Sequence, residues 1–139
     1  MKREAVIKVS RIDHLTLRAV ELPRLLAFYR DVLGFRVAHR DDVAGVVQLT
    51  SGTALIDLVD ANGPVGRRSG PAATGSARNM DHLCLMLDDF DAAVLRTELG
   101  AHGVQLSAPI ERGASQSLYL YDPEGNQIEL KGVPTPARA

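Results

Sequence analysis

Ile12-Asp13-His14-Leu15-Thr16-Leu17 returns further along the chain as Met80-Asp81-His82-Leu83-Cys84-Leu85, so that His14 and His82 stand 68 positions apart. A self-similarity of this kind marks one supersecondary unit used twice. Each hexapeptide leads into a helical pattern. In the first half Leu22, Leu25, Leu26, Tyr29, Val32 and Leu33 fall at helical spacing, with Pro23 in the first turn and Gly34 as the stop. In the second half Asp88 or Asp89 is the expected N-cap, Phe90, Ala93, Val94 and Leu99 follow, and Gly100 and Gly103 end the helix. The halves also close alike: Ala54-Leu55-Ile56-Asp57-Leu58 corresponds to Asn126-Gln127-Ile128-Glu129-Leu130, with 72 positions between Asp57 and Glu129.

Between helix and closing strand each half has room for two short strands. They are expected near 35–40 and 46–50, and again near 104–106 and 116–121, with turns at Thr50-Ser51-Gly52 and Asp122-Pro123-Glu124-Gly125. The fold class predicted is α+β, with two tandem βαβββ modules over about 9–60 and 79–132 in a single domain covering 1–139. Residues 61–78, ANGPVGRRSGPAATGSAR, have no periodicity and read as a solvated linker; the functional alternative is a lid in which Arg67 or Arg68 meets an anionic ligand.

Composition narrows the function classes. The 139 residues carry 16 basic and 17 acidic side chains with no basic block, which disfavours nucleic acid and anionic membranes as partners. Cys84 is the only cysteine, so there is no internal disulfide framework, and a reducing compartment is expected. No apolar stretch follows the charged start MKREAVIKVSR, and the longest apolar runs are five residues, at 25–29 and 83–87, so the protein is expected to be cytoplasmic. No Gly-rich phosphate loop precedes a helix and no Gly-x-Ser-x-Gly occurs, which removes nucleotide-dependent and serine-hydrolase readings.

Strand parity then sorts the polar residues. Leu15, Leu17, Leu83, Leu85 and Leu87 share one face, under the helices, while His14, Thr16 and Arg18, with His82, Cys84 and Met86, share the other. In the closing strands Ile56, Leu58, Ile128 and Leu130 take the helix side and leave Asp57 and Glu129 opposite. A histidine starting a strand or a carboxylate near its end is ordinarily a hydrogen-bonded or solvated polar group. Two of each at equivalent places is a different matter, because ionisable groups converging in one concave site repel or lose solvation unless a cation lies between them. Imidazole with carboxylate is a ligand set for a divalent transition metal. On the same side Tyr119, Tyr121 and Gln48 are candidate substrate contacts, Cys84 faces the cleft, and His39 and His102 fall outside the repeat.

Ile12-Asp13-His14-Leu15, the stretch Phe28-Tyr29-Arg30-Asp31-Val32-Leu33-Gly34-Phe35, and Tyr121-Asp122-Pro123-Glu124-Gly125-Asn126-Gln127-Ile128-Glu129-Leu130 together resemble the vicinal oxygen chelate superfamily. This group holds glyoxalase I, the bleomycin resistance proteins, the fosfomycin-modifying thiol transferases, methylmalonyl-CoA epimerase and the extradiol dioxygenases. The resemblance covers about residues 11 to 131. It implies a curved mixed sheet forming a U-shaped cleft, helices on its outer face, and one divalent metal (Ni, Zn, Mn, Co or Fe) at its base. The ligand positions are filled here by His14, Asp57, His82 and Glu129. Asp57 stands where glyoxalase I usually has Glu and the epimerase Gln. Arg18, four residues after the first ligand, matches an arginine that some glyoxalases use for a glutathione carboxylate, whereas an Asn of that pattern is replaced by Ala61.

The expectation is a metal-dependent, glyoxalase I-like lyase or isomerase acting on a small substrate with vicinal oxygens, such as a glutathione hemithioacetal. Glu129 or Asp57 would move the proton, and Arg18, Gln48 and Tyr119 would bind substrate. The alternatives are a small extradiol-type dioxygenase and a metal-free binding protein of the bleomycin-binding type. Because small modules leave sheet edges to be covered, a homodimer is expected.

Overall fold

The structure, a computed structural model, describes residues 7–72 and 79–136. The repeat seen in the sequence appears as two equivalent halves. The first runs β1 (Leu15–Ala19), α1 (Leu22–Ala27), β2 (Arg36–Asp41), β3 (Val46–Ser51) and β4 (Ala54–Asp60). The second runs β5 (Leu83–Met86), α2 (Ala92–Ala101), β6 (Ile110–Arg112), β7 (Ser115–Tyr121) and β8 (Gln127–Gly132). Hydrogen bonding makes two four-stranded mixed sheets, ordered β1-β4-β3-β2 and β5-β8-β7-β6, and among the described residues no ladder joins one to the other. β1 runs parallel to β4, and β5 parallel to β8, in each case with antiparallel pairing across the rest of the sheet.

Alternation decides which face packs. Leu17, Ala19, Val47, Leu49, Ile56 and Leu58 of the first sheet are buried, as are Leu118, Leu120, Ile128 and Leu130 of the second. All of these but Leu118 join one core with Leu25 and Leu26 of α1, Phe28 and Tyr29 just after it, and Leu99 of α2. Burying each such side chain is worth about 1.5–3 kcal/mol. Leu83, Leu85 and Leu87 are only partly covered. A groove of about 810 Å³ runs past Leu85 and Leu87, lined also by Val32, Leu33, Phe35 and Leu99.

The helices differ in detail from the sequence pattern. After α1 the chain widens into a π-helical turn, Phe28–Val32, in which the Leu33 N–H reaches back to the Phe28 carbonyl at 3.1 Å. The cap of α2 is Asp91, not Asp88 or Asp89; its Oδ1 accepts from the N–H groups of Ala93 (3.0 Å) and Val94 (3.1 Å). Phe90 lies before the helix rather than in it. Its ring is fully buried and its backbone bridges Pro134, so the chain stays extended until the next residue. Gly132 permits this approach, because a Cβ there would come within 2.6 Å of the Phe90 Cβ.

The second strand of the second half is also displaced. Residues 104–106 form no strand, and β6 begins at Ile110. The segment is diverted at Ser107, whose N–H donates to the Tyr119 carbonyl (3.0 Å) while its Oγ accepts from the Tyr119 N–H (2.9 Å). Pro109 then separates this contact from the β6 pairing.

A buried hydrogen bond ties the halves together, beside an exposed one from the Glu21 N–H to Glu124 Oε1 at 2.9 Å. The Tyr29 hydroxyl donates to Asp122 Oδ2 at 2.9 Å, with both residues buried. Burial, and the Asp122 charge beside it, push the Tyr29 phenol far above its ordinary value, so it stays a proton donor. Tyr29→Phe leaves a buried carboxylate short of a donor and is expected to lower stability by about 1.5–3 kcal/mol. Urea unfolding with an unchanged slope and a lower midpoint is the expected result; an unchanged midpoint would refute this role.

Candidate functional site

His14 and His82 each occupy the residue just before an opening strand, where the chain leaves irregular structure and the side chain has not yet entered the ladder. In both cases the preceding aspartate holds the ring. His14 Nδ1 lies 2.9 Å from Asp13 Oδ2, and His82 Nδ1 lies 2.6 Å from Asp81 Oδ2. With Nδ1 so occupied, Nε2 is the nitrogen presented to the sheet. There it meets the carboxylate of the adjacent closing strand: His14 Nε2 is 3.7 Å from Asp57 Oδ2, and His82 Nε2 is 3.0 Å from Glu129 Oε2.

Register explains the pairing. Thr16 stands opposite Asp57, which stands opposite Gln48; Cys84 stands opposite Glu129, which stands opposite Tyr119. Thus His14, Asp57 and Gln48 form one group, and His82, Glu129, Cys84 and Tyr119 form its counterpart. The Tyr119 ring meets the His82 ring edge-on, centroids 6.0 Å apart. The four candidate ligands are brought together as two pairs. Among the described residues no three His, Cys, Asp or Glu side chains gather as one metal-holding cluster.

The two pairs are not equivalent. Glu129 is buried, and its Oε1 accepts from the Ser117 hydroxyl at 2.6 Å. That hydrogen bond, with help from Cys84, His82 and Tyr119, holds the Glu129 carboxyl below its ordinary value against the opposing effect of burial. The Cys84 thiol is pushed up, first by burial and then by Glu129. Asp57 lacks a counterpart to Ser117, and its Oδ1 is buried with no hydrogen-bond partner. An orphaned carboxylate oxygen beside an imidazole nitrogen is an open ligand position. Two imidazoles braced from behind by carboxylates, each facing a further carboxylate, fit the donor set and outer shell of a divalent metal.

The remaining sequence candidates are placed as follows. Arg18 is engaged by the connection between the halves. Its Nη1 donates to the Pro71 carbonyl at 3.2 Å, and its Nη2 to the Gly66 carbonyl at 3.1 Å and also to that of Gly70. Gly66 heads a 3₁₀ turn, Gly66–Ser69, that lies against Asp60, where any Cβ would collide with the Asp60 carbonyl. Arg67 and Arg68 are exposed on this turn; the lid reading extends to residues 73–78, which lie outside the described residues. His39, His102 and Tyr121 are exposed. Sequence reasoning did not assign Asp13, Asp81, Ser117 or Arg112. The first two carried a usable signal, since Asp precedes His in both copies of the repeat; Ser117 shares the parity of Tyr119.

His14 is raised above its ordinary value of 6.5 chiefly by the Asp13 hydrogen bond and then by Asp57. His82 is raised chiefly by Asp81, with Glu129 adding to it. A histidine raised in the folded state contributes stability that is complete below its unfolded value and is lost as pH rises through the folded one. In Asp81→Asn the His82 ring is therefore expected to titrate lower than in wild type, with His14 unmoved. The stability deficit of the variant should be present below pH 6.5 and close as pH rises through the raised wild-type value. Imidazole NMR titration with parallel denaturation checks both; an unmoved His82 midpoint would overturn the assignment.

Comparison with known proteins bears on the same residues. Residues 11–130 match the family model described as the Glyoxalase/Bleomycin resistance protein/Dioxygenase superfamily. The lactoylglutathione lyase of Pseudomonas aeruginosa is 27% identical, over 94% of this chain and 86% of its own. Biphenyl-2,3-diol 1,2-dioxygenase 3 of Rhodococcus globerulus is 26% identical over 87% of this chain, which spans only 62% of the dioxygenase's length. Among solved structures, an integron cassette protein of V. cholerae superposes with a TM-score of 0.71 at 28% identity, covering 92% of this chain and 98% of its own. A fosfomycin resistance protein of Listeria monocytogenes, solved with Mn(II), shares the fold at 16% identity with a TM-score of 0.69, over 93% of this chain and 94% of its own.

Proposed function

Since this chain belongs to the glyoxalase/bleomycin resistance protein/dioxygenase superfamily, we propose that it is a metal-dependent lyase or isomerase acting on a small substrate with two adjacent oxygens. The observation that carries the reading is the duplicated arrangement in which Nδ1 of each histidine is braced by an aspartate and Nε2 faces a carboxylate. His14, Asp57, His82 and Glu129 would hold one divalent ion: Ni, Zn, Mn, Co or Fe. When bound, such an ion supplies Lewis-acid polarisation of the substrate oxygens.

The two carboxylates divide the remaining work. Glu129, fixed by Ser117 and kept ionised, is the rigid ligand. Asp57, with Oδ1 unpartnered, is the carboxylate able to turn, take the proton from the carbon beside the substrate carbonyl and return it to the neighbouring carbon. Gln48 and Tyr119, directly across from these carboxylates, orient the substrate. Because Arg18 is bound to three carbonyls of the connection, a glutathione carboxylate would have to displace them to use it.

The division of the ligands into two pairs supports a homodimer in which the first half of one copy meets the second half of the other. β1 and β5 are sheet edges, each leading from its histidine, and such edges call for cover. A complementation experiment tests this. A copy carrying His14→Ala and Asp57→Ala, and a copy carrying His82→Ala and Glu129→Ala, should each fail to bind Mn(II) stoichiometrically. Refolded together they should regain metal binding, because each mixed dimer contains one intact site and one wholly dismantled one. Failure of the mixture to bind, with both variants folded, would refute a shared site.

For the reaction itself, the metal-replete protein should turn over an adjacent-oxygen substrate such as the methylglyoxal–glutathione hemithioacetal, with Asp57→Asn lowering kcat and leaving KM little changed. A second reading is favoured by the closer approach of His82 to Glu129 than of His14 to Asp57, which leaves two histidines and one strong carboxylate. That set suits Fe(II) oxygen chemistry. Iron in the purified protein and oxygen uptake with catechols, without hemithioacetal turnover, would replace the lyase reading by this one.

A further inference from the structure

On the sheet that carries Glu129, two cations share the site face and neither is paired with an acid among the described residues. β6 places Arg112 opposite Ser115, and β8 places Lys131 opposite Ser117. The serines have the parity of Tyr119, across from Glu129, so Lys131 and Arg112 stand on the face that carries Glu129, one and two same-face rows along from it. Arg112 Nη2 donates to the Tyr119 hydroxyl at 3.2 Å, spanning the row occupied by Ser117, which is completely buried. Its electrostatic neighbours are Tyr119 and Glu129, and Lys131 acts on Cys84, which stands beside Glu129. The nearest acid in sequence, Glu111, accepts from Gln116 at 2.6 Å, and this pair has the opposite parity.

An arginine whose one hydrogen bond among the described residues goes to a neutral hydroxyl has donors left for an oxyanion, since guanidinium presents a fork of N–H groups that fits carboxylate or phosphate. Its cation and that of Lys131 outnumber the one carboxylate on this face. We infer that Arg112, supported by Lys131 and the Tyr119 hydroxyl, binds an anionic group of the substrate, a carboxylate or a phosph(on)ate, beside Glu129. The Tyr119 oxygen accepts from Arg112, so its own proton points away from the guanidinium, toward Glu129 or the occupant of the site. This assignment rests on the proposed function for its placement in a substrate site, and it gives the second half the cationic role that Arg18 cannot fill while it holds the connection. The substrate class narrows accordingly to small molecules with adjacent oxygens and an anionic substituent.

The test uses the protein as purified, at low ionic strength, titrated with inorganic phosphate and separately with acetate, and followed by amide and arginine Nε–Hε NMR shifts. Phosphate or acetate should shift Arg112, Tyr119 and Lys131 together. Arg112→Gln should weaken binding roughly tenfold or more, Arg112→Lys should retain part of it, and Lys131→Gln should fall between. Arg24→Gln, exposed on α1, should bind as wild type does. The tighter of the two probes identifies the anionic class. Equal affinity in wild type and Arg112→Gln, equal loss in Arg24→Gln, or no binding of either anion would overturn the subsite. Mn(II) titration run alongside separates this from the wider reading: Arg112→Gln should keep wild-type metal affinity, and wild-type protein that binds anion but no metal would sink the metal site while leaving the subsite standing.

Discussion

The Asp122 carboxylate organises the structure at the point where the halves meet. Oδ1 accepts from the N–H groups of Glu124 and Asn126, both at 2.9 Å, and Oδ2 accepts from the Asn126 side chain at 2.8 Å and from the Tyr29 hydroxyl at 2.9 Å. The first three bonds close the turn from β7 into β8. The fourth fixes that turn to the helix of the other half. Strand register is set by its turn, so these bonds decide that Glu129 falls opposite Tyr119, on the face away from the core. A buried carboxylate with four donors is also costly to strip of any one of them. The candidate site therefore depends on a contact far from its own residues in sequence.

Much of this could be read from the chain because a period of two leaves little freedom. Once Leu15 and Leu17, Ile56 and Leu58, and Ile128 and Leu130 are assigned to the core, His14, Asp57, His82 and Glu129 fall on the opposite side. What was not legible is set by tertiary contact. Asp88, Asp89 and Asp91 are equally good caps by chemistry, and the choice of Asp91 follows from the burial of Phe90 against Gly132. Residues 104–106 have strand-like composition, yet the Ser107 contact to Tyr119 and the proline at 109 move the ladder to Ile110. Arg18 lies at the position the family resemblance marks for a substrate carboxylate, but the path of the connection, which brings three carbonyls to it, has no sequence signature.

The same alternation raises an energetic question, because the site face carries four titratable groups that add little to the core. Each histidine is one-third or more exposed, with 42% and 34% of the His14 and His82 side chains accessible, so neither pair bears the desolvation cost of a buried ion pair. Their contribution to stability is correspondingly small and screened by solvent. Groups that are expensive to remove for folding reasons look different, as Tyr29 and Asp122 show. The bracing aspartates make the contrast sharper: Asp13 and Asp81 are highly exposed, and each holds a histidine ring in one orientation, Asp13 with a long contact to the exposed Arg11 besides. Orientation without burial serves ligation or proton transfer better than it serves packing.

Asymmetry between the repeats then follows from single side chains. Where the second half has Ser117 to lock its carboxylate, the first half offers none, and Asp57 is one methylene shorter than Glu129. A shorter carboxylate reaches its histidine less closely, 3.7 Å against 3.0 Å, and keeps one oxygen unpartnered. A carboxylate held by four neighbours, as Glu129 is, is a poor proton carrier, because moving the proton means breaking bonds that hold it ionised. A carboxylate with an idle oxygen has no such bond to break at that atom. A duplicated scaffold thus presents one tightly held and one labile carboxylate at equivalent places, and under the proposed function that difference, rather than the shared fold, would separate ligation from proton transfer.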